Sequence, residues 1–359
     1  MNKKIIFSGG GTGGHIFPAI NLMKHFFEKG YKVILVTDER GNNFIKNYSE
    51  FKSYILKAGT PTNKNLLKKF FSFFLIFYSI VKSILILKKE KPNLIFGLGG
   101  YVSFPISFAS RFFNFPLVIY ENNMILGRSN KYLSSFSKKI LLAKKIIENF
   151  PEKYKHKTYE VGSILNKSII NSSSYKINND KKKFSILVLG GSQGAEIFGK
   201  IIPKVIKMIK DKGYEIEINQ QCTVGQKNSL IDFYKKNNIK NYIFEFDKNI
   251  LKLILTSSIA ITRCGASTTA ELAYTFTPFI AVPLPNSIDN HQYLNAKYYE
   301  NNGCCWVLEQ RNFNTENLFD LIMETIKNES KLNNIRENMK KKWSKNGYSN
   351  IENEIKEFL

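Results

Sequence analysis

Short runs of Ile, Val, Leu and Phe alternate with longer stretches of helical spacing along the whole chain. Repeated from end to end, that alternation predicts parallel strands covered on both faces by helices. In the first half, strands are predicted over residues 5–8, 32–37, 54–56, 93–98, 117–121, 139–142 and 158–161. The pattern breaks over 162–183, where "GSILNKSIINSSSYKINNDKKK" has the Ser, Asn and Lys content of a linker and its neighbouring loops. It restarts with strands over 185–189, 214–219, 242–245, 259–262, 279–282 and 305–308, and helical stretches fill the carboxyl terminus.

The restart repeats the opening. "KKIIFSGGGTGGHIFPA" and "FSILVLGGSQGAEIFGK" share one design: an apolar strand, a glycine turn and a helix start. Open α/β sheets bind ligands at the carboxyl ends of their strands, where a helix start aims backbone N–H groups at whatever sits there. One N–H bond to a charged oxygen contributes on the order of 1.5–3 kcal/mol, so a few such donors hold a phosphate without a metal. The expected organisation is a first domain over 1–162, a linker over 163–183 and a second domain over 184–343. A terminal helix at about 344–359 is placed to pack back on the first domain. The length agrees, since 359 residues exceed what one core of about 250–300 usually holds.

Composition narrows this picture little. Hydrophobic residues make up 43% and charged residues 23%, the proportions of a folded globular chain. The net charge of +24 predicts attraction to anions, whether nucleic acid, lipid head groups or phosphorylated substrates. The lysines are dispersed and no nucleic-acid reader motif is present, so nucleic acid is not an expected partner. The four cysteines contain no C-x-x-C pair, and no His stands at finger spacing from them, which argues against structural zinc. No apolar leader precedes the first strand, so the protein is expected to face the reducing cytoplasm.

Gly9, Gly11 and Gly14 spell the dinucleotide pattern G-x-G-x-x-G, and Asp38 ends the second strand where a ribose-binding acid belongs. A nicotinamide enzyme does not call for a second glycine-rich half, nor for His15 at the helix start, where an imidazole faces the ligand and can take a proton. His25 and His156 read as surface residues. A third cluster, "TRCGASTTAELA", runs from a strand through Arg263 into a helix start. There Ser267 and Thr268 can cap the helix and donate to phosphate, and Glu271 can accept from ribose hydroxyls. In "PLPNSIDNHQYLNA", Asp289, Asn290, His291 and Gln292 crowd a loop that can read sugar hydroxyls. There is no D-x-D, the usual means of holding a nucleotide sugar through Mg²⁺, so neither a metal nor a cofactor is expected.

In order and approximate spacing, "GGGTGGHIFPA", "GLGGYVSFP", "YENN", "GGSQGA", "TRCGASTTAELA" and "DNHQYLNA" resemble the MurG family of bacterial peptidoglycan glycosyltransferases, which have the GT-B fold. The resemblance covers nearly the whole chain. It implies an α/β protein of two Rossmann-like doubly wound parallel-sheet domains facing across a cleft. The implied reaction is transfer of N-acetylglucosamine, with inversion, from UDP-N-acetylglucosamine to the C4 hydroxyl of the muramyl sugar of lipid I, the undecaprenyl-diphosphate-linked muramyl peptide. Carried over by motif, Thr12, Gly13, Gly14 and Asn123 meet the donor from the first domain. Ser192, Gln193, Arg263, Ala266, Ser267, Thr268, Thr269, Ala270, Glu271 and Gln292 hold it from the second. Gly99, Gly100 and Tyr101 would face the acceptor diphosphate, and His15 and Glu121 are the candidates for the catalytic base. The chain departs from the family at Asn166, where a donor-site arginine is usual, and at Tyr120 and Asn122, where His and Gln are usual.

One segment remains. "KKFFSFFLIFYSIVKSILILKKEK", residues 68–91, is apolar around most of its circumference, with Ser72, Ser79, Lys82 and Ser83 as a narrow polar stripe. Its uninterrupted part before Lys82 reaches roughly 18 Å, short of a bilayer core of about 30 Å. The expectation is a helix with one face on its own sheet and a second, carrying Phe73, Phe74, Phe77 and Ile80, on an anionic membrane surface, flanked by lysines. The protein would then be peripheral on the cytoplasmic face of the cell membrane. Another GT-B enzyme that transfers or epimerises a UDP-sugar is the main alternative.

Overall fold

The computed structural model describes all residues except 1–2, 12, 46–49, 58, 60–65, 146, 173–183, 192–194 and 344–346, and the side chains of 66–69. Thr12, Ser192 and Gln193 lie outside the described residues. The chain divides into two units, one of residues 1–166 with 346–359, the other of 167–345.

In the first unit, β1 (Lys4–Ser8), β2 (Lys32–Thr37), β3 (Lys52–Ile55), β4 (Leu94–Gly97), β5 (Leu117–Glu121), β6 (Lys139–Leu142) and β7 (Thr158–Glu160) pair in parallel in the order 3-2-1-4-5-6-7. Its helices are α1 (Gly13–Glu28), α2 (Glu39–Ile45), α3 (Leu66–Glu90), α4 (Ser103–Ala109) and α5 (Arg128–Leu133). The second unit begins with α6 (Lys167–Ser172). Its strands β8 (Phe184–Leu189), β9 (Ile216–Gln221), β10 (Lys240–Phe244), β11 (Ile259–Thr262), β12 (Phe279–Ala281) and β13 (Cys305–Val307) pair in parallel in the order 10-9-8-11-12-13. Around them lie α7 (Glu196–Asp211), α8 (Lys227–Lys236), α9 (Ile250–Thr256), α10 (Ala266–Tyr274), α11 (His291–Asn301), α12 (Thr315–Lys327) and α13 (Glu329–Lys342). The last helix, α14 (Gly347–Ile355), belongs to the first unit.

The central strands are buried residue after residue, as in β4, β5 and β11, because helices cover both sheet faces and leave no side for polar residues. Every strand expected from the hydrophobic pattern is present, within two residues at either end. Part of the polar stretch after residue 162 is not loop. Lys167–Ser172 forms α6 and packs on α10, with Ile169 and Ser172 buried. His25 also departs from expectation, because α14 covers it: Nε2 bonds Glu352, and the ring lies 4.5 Å from that of Tyr348. Tyr348 donates to the Leu165 carbonyl at 2.5 Å and Asn350 to that of Val161 at 3.1 Å, which ties residues 161–165 to α14.

Helix α3 is amphipathic in an unusual sense. Its small polar stripe faces inward: Ser72, Ser79 and Ser83 are buried, and Ser79 donates to the Lys57 carbonyl at 2.8 Å. A side chain at Gly59 would lie 2.4 Å from the Ser72 carbonyl oxygen, so close approach of loop and helix fixes small residues on both. The aromatic residues point outward. Phe70, Phe71, Phe73, Phe74, Phe77, Tyr78, Val81 and Leu85 are 43–77% exposed, whereas Ile80 is half-buried and stands aside from this face.

The carboxyl end of α3 is locked to the sheet through Glu90, which is 5% exposed. Its carboxylate accepts from Lys52 Nζ at 2.6 Å, Tyr54 OH at 2.5 Å and Lys4 Nζ at 3.0 Å. Burial alone would raise its pKa, but these donors outweigh burial and bring it down to about 2. A carboxyl lowered on folding adds stability above its ordinary value near 4.5, and that stability is lost as pH falls toward about 2. Glu90→Gln is expected to cost on the order of 2 kcal/mol at neutral pH. Urea unfolding of both proteins should show the gap closing as the buffer is acidified from about pH 5 toward 2.5.

Candidate active site

In the first unit, the residues singled out from the sequence gather at the carboxyl edge of the sheet. Gly13, Gly14 and His15 form the first turn of α1 after the glycine turn that ends β1. His15 Nδ1 lies 2.9 Å from the Leu98 carbonyl. A carbonyl only accepts, so Nδ1 carries the proton and the neutral ring keeps its lone pair on Nε2, the arrangement of a general base. Gly99 and Gly100, after β4, press on this ring. Both have positive φ, +93° and +80°, and a Cβ on Gly99 would lie 2.9 Å from His15 Cε1 and Nδ1. One on Gly100 would lie 2.7 Å from the Gly10 carbonyl oxygen. Tyr101 follows, half-buried.

Glu121 also belongs to this edge, but its oxygens are committed. Oε1 accepts from the N–H and side-chain amide of Asn123, both at 3.0 Å. Oε2 accepts from the Gly127 N–H at 2.8 Å and Asn130 Nδ2 at 3.0 Å. Only 2% exposed, it acts as the anchor of the loop carrying Asn123, and His15 is better placed to take a proton. Tyr120, one of the departures from the family, is buried, with its hydroxyl 3.2 Å from both the Gly162 carbonyl and Asn122 Oδ1. Asp38 spends Oδ1 on the N–H of Gly41 at 2.8 Å inside α2, as a helix cap does, an ordinary structural use of the acid that the dinucleotide reading had singled out.

In the second unit, the same sheet edge carries α10 and α11. The N-cap of α10 is Gly265, without a side-chain cap, so Ser267 and Thr268 do not cap it as expected. Both are half-buried on the first turn, where the backbone donors of a helix start collect. Ala266, Thr269 and Ala270 are buried, and the Thr269 hydroxyl donates back to the Gly265 carbonyl at 3.1 Å, so these three build the turn. Glu271 is half-buried, and desolvation of its carboxyl pushes it up to about 7. Gln292 Oε1 accepts from the N–H groups of Cys264 at 3.1 Å and Leu284 at 3.0 Å. It thereby stitches together the loops after β11 and β12 and leaves the amide Nε2 as its outward donor. Ahead of it, Asp289 and Asn290 both hold left-handed backbone, at φ 52° and 56°. A cavity of about 290 Å³ lined by Pro283, Leu284, Asn290, Tyr293 and Gln310 opens beside them.

Arg263 does not reach outward. Its guanidinium donates to the Val282 carbonyl at 3.1 Å, the Pro283 carbonyl at 3.3 Å and Gln310 Oε1 at 2.6 Å, and it lies 5.0 Å from the Phe198 ring. At 8% exposure it braces the loops around α10.

Residues 5–142 match the glycosyltransferase family 28 N-terminal domain, and residues 185–355 match the family 28 C-terminal domain. The chain belongs to glycosyltransferase family 28. A Pelagibacter ubique relative, 36% identical over 98% of this chain and 97% of its own length, is named UDP-N-acetylglucosamine--N-acetylmuramyl-(pentapeptide) pyrophosphoryl-undecaprenol N-acetylglucosamine transferase. A Rickettsia canadensis relative of the same name is 36% identical over 99% of this chain and the whole of its own. The fold is also that of Acinetobacter baumannii MurG, with a TM-score of 0.79 at 24% identity over 99% of both chains. The two Rossmann-like sheets of this family 28 member are thus those of the GT-B class.

Lys144 and Asn130, both buried beside Glu121, were not singled out from the sequence. For Lys144 the only signal was a lysine pair interrupting the apolar run "KILLAKKII" at a strand end. The bracing role of Arg263 can be tested by stability. Arg263→Ala is expected to lower the unfolding free energy by on the order of 2–4 kcal/mol in urea titrations. An unchanged midpoint would mean that the guanidinium serves a ligand and not the fold.

Proposed function

We infer that this family 28 enzyme transfers N-acetylglucosamine from UDP-N-acetylglucosamine to the C4 hydroxyl of the muramyl sugar of lipid I, with inversion, giving lipid II. The observation that carries the reading is the likeness over essentially the full chain to transferases named for this reaction. The geometry of each unit supports it with chemistry of the right kind.

In the first unit, His15 takes the proton of the attacking hydroxyl on Nε2, and its Nδ1–H, held by the Leu98 carbonyl, stabilises the imidazolium that forms. Gly13 and Gly14 offer N–H groups of a helix start, the paired glycines and Tyr101 lie toward the acceptor diphosphate, and Asn123 contacts the donor. In the second unit, the leaving UDP gains negative charge as the glycosidic bond breaks. The uncapped start of α10, with Ser267 and Thr268, answers that charge with oriented N–H and O–H groups. Glu271 accepts from ribose hydroxyls, and Gln292 donates from Nε2.

Association with the membrane is part of the same reading. A row of exposed Phe, Tyr, Val and Leu residues on α3 has no reason to face water in a protein that buries serines beneath it. Docked on its sheet and bonded at Glu90 and Lys82, the helix presents this row sideways, the geometry of a peripheral contact. Exposed lysines such as Lys88 and Lys89 each add about 1 kcal/mol near an anionic surface.

Transfer to a lipid I analogue, followed by product mass, tests the activity. In that assay His15→Ala is expected to lower kcat by about 10²–10⁴-fold while KM for the UDP-sugar and the melting temperature change little. Replacing Phe73, Phe74 and Phe77 with Glu is expected to abolish co-sedimentation with phosphatidylglycerol vesicles and leave thermal unfolding unchanged. Vesicle binding that survives the three charges would refute the membrane contact.

A further inference from the structure

Residues 15 and 17 lie about 200° apart around a helix, so Phe17 leaves α1 on the side opposite His15. That side of the glycine turn is built of groups that the reaction described above does not use. Asp38, just after β2, gives only Oδ1 to the Gly41 N–H, at 2.8 Å. Such a cap needs one acceptor, which Asn or Ser also supplies, so the charge and the second oxygen go beyond it. Asp38 is half-buried, and its Oδ2 accepts no hydrogen bond from the described residues. Both oxygens lie against the turn. A Cβ on Gly10 would stand 2.9 Å from Oδ1, and one on Gly11, where φ is +80°, would stand 3.9 Å from Oδ2. Phe17 lies on the helix start, its Cε2 2.9 Å from where a Cβ of Gly13 would be. Phe44 of α2 meets Phe17 edge to face, with ring centroids 5.1 Å apart at 66°, and the two rings are 39% and 41% exposed. One glycine separates this group from His15: a Cβ on Gly100 would lie 2.7 Å from the Gly10 carbonyl oxygen and 3.5 Å from His15 Cδ2.

An exposed aromatic pair beside an open carboxylate oxygen has the chemistry of saccharide recognition. Ring faces cover the C–H groups of a sugar, and a carboxylate accepts strongly from a hydroxyl or an amide N–H. A carboxylate is otherwise out of place here, because it repels the diphosphates of both substrates and weakens the positive end of α1. We propose that Asp38, Phe17 and Phe44 form a subsite for the muramyl sugar of the acceptor, with Asp38 Oδ2 accepting a hydroxyl or N–H of that sugar and the two rings covering its apolar face. The inference rests on the reading that His15 takes the proton of this sugar's C4 hydroxyl. The turn between His15 and Asp38 carries no side chain at Gly10 and Gly11, which leaves room for a ring to reach from one to the other. Asp38 and the rings hold the acceptor and touch no reacting atom.

The test uses the full chain and two lipid I analogues of shortened lipid, one with the peptide and one with the lactyl group alone. Asp38→Asn keeps an acceptor for the Gly41 N–H and replaces the open oxygen by an amide donor. It is expected to raise KM for both analogues about tenfold, with kcat, KM for UDP-N-acetylglucosamine and the melting temperature little changed. Phe44→Ala, which leaves Phe17 over Gly13, is expected to raise the same KM about threefold. If Asp38 only caps α2, Asp38→Asn leaves the acceptor KM where it was, or lowers it by removing a charge that repels the diphosphate. Either result would overturn the proposal. So would a rise confined to the analogue with the peptide, a rise shared by KM for the UDP-sugar, or a loss of activity that follows a lower melting temperature; in each of these cases the reaction stands. Failure of the wild-type chain to transfer to either analogue would overturn the reaction and the subsite together.

Discussion

The backbone after β4 can lie against the first turn of α1 because two consecutive residues there carry no side chain. Gly99 meets the His15 ring, and Gly100 meets the carbonyl of the glycine turn after β1. Both need a backbone conformation that other residues adopt only with strain. The reward is the hydrogen bond from Nδ1 to the Leu98 carbonyl, which fixes the tautomer of His15 and puts the ring lone pair on Nε2. Ser103 and Ser129 both donate to the Gly100 carbonyl, at 2.9 and 3.2 Å, so α4 and α5 are referred to the same point. The orientation of one imidazole thus depends on packing that only glycine permits.

That close contact explains how much could be read from the sequence. Strands buried on both faces are apolar throughout, so the strands of both sheets were legible in the hydrophobic pattern, and their ends, marked by Gly and Pro, were nearly so. The glycine turns were legible as well, because a turn that presents N–H groups excludes side chains. Helix starts and His15 followed from the same logic. Residue type and spacing are enough where backbone geometry is the constraint.

Where the constraint is a partner distant in sequence, type and spacing fall short. Glu121 has the chemistry of a base, but four donors occupy it, one of them Asn130 nine residues on. Arg263 has the chemistry of a phosphate ligand but spends it on carbonyls at the end of β12 and on Gln310. His25 reads as a surface residue until a helix more than 300 positions away covers it. The serine stripe of α3 misleads for another reason. Polar residues at helical spacing suggest the solvent face, but serines are also small, and close packing on Lys57 and Gly59 selected size over polarity.

With a net charge of +24, the chain has far more lysine and arginine than its anions can neutralise, and nearly all of it stays at the surface. Among the described residues, the charged side chains that are buried are Glu90, Glu121, Lys144 and Arg263. None stabilises the fold merely by being charged, since taking an ion out of water costs more than an ordinary contact returns. Three of them gather backbone or side-chain groups from several elements: Glu90 joins α3 to β1 and β3, Glu121 holds the loop of Asn123 and Gly127, and Arg263 braces three loops of the second unit. Three of the four stand at the carboxyl edge of a sheet. A parallel sheet leaves its loops there without ladder partners, and a buried charge with several hydrogen-bonding directions is one of the few groups that can fix them all at once. The cost of burying such ions is accepted where loop geometry must be exact enough for chemistry.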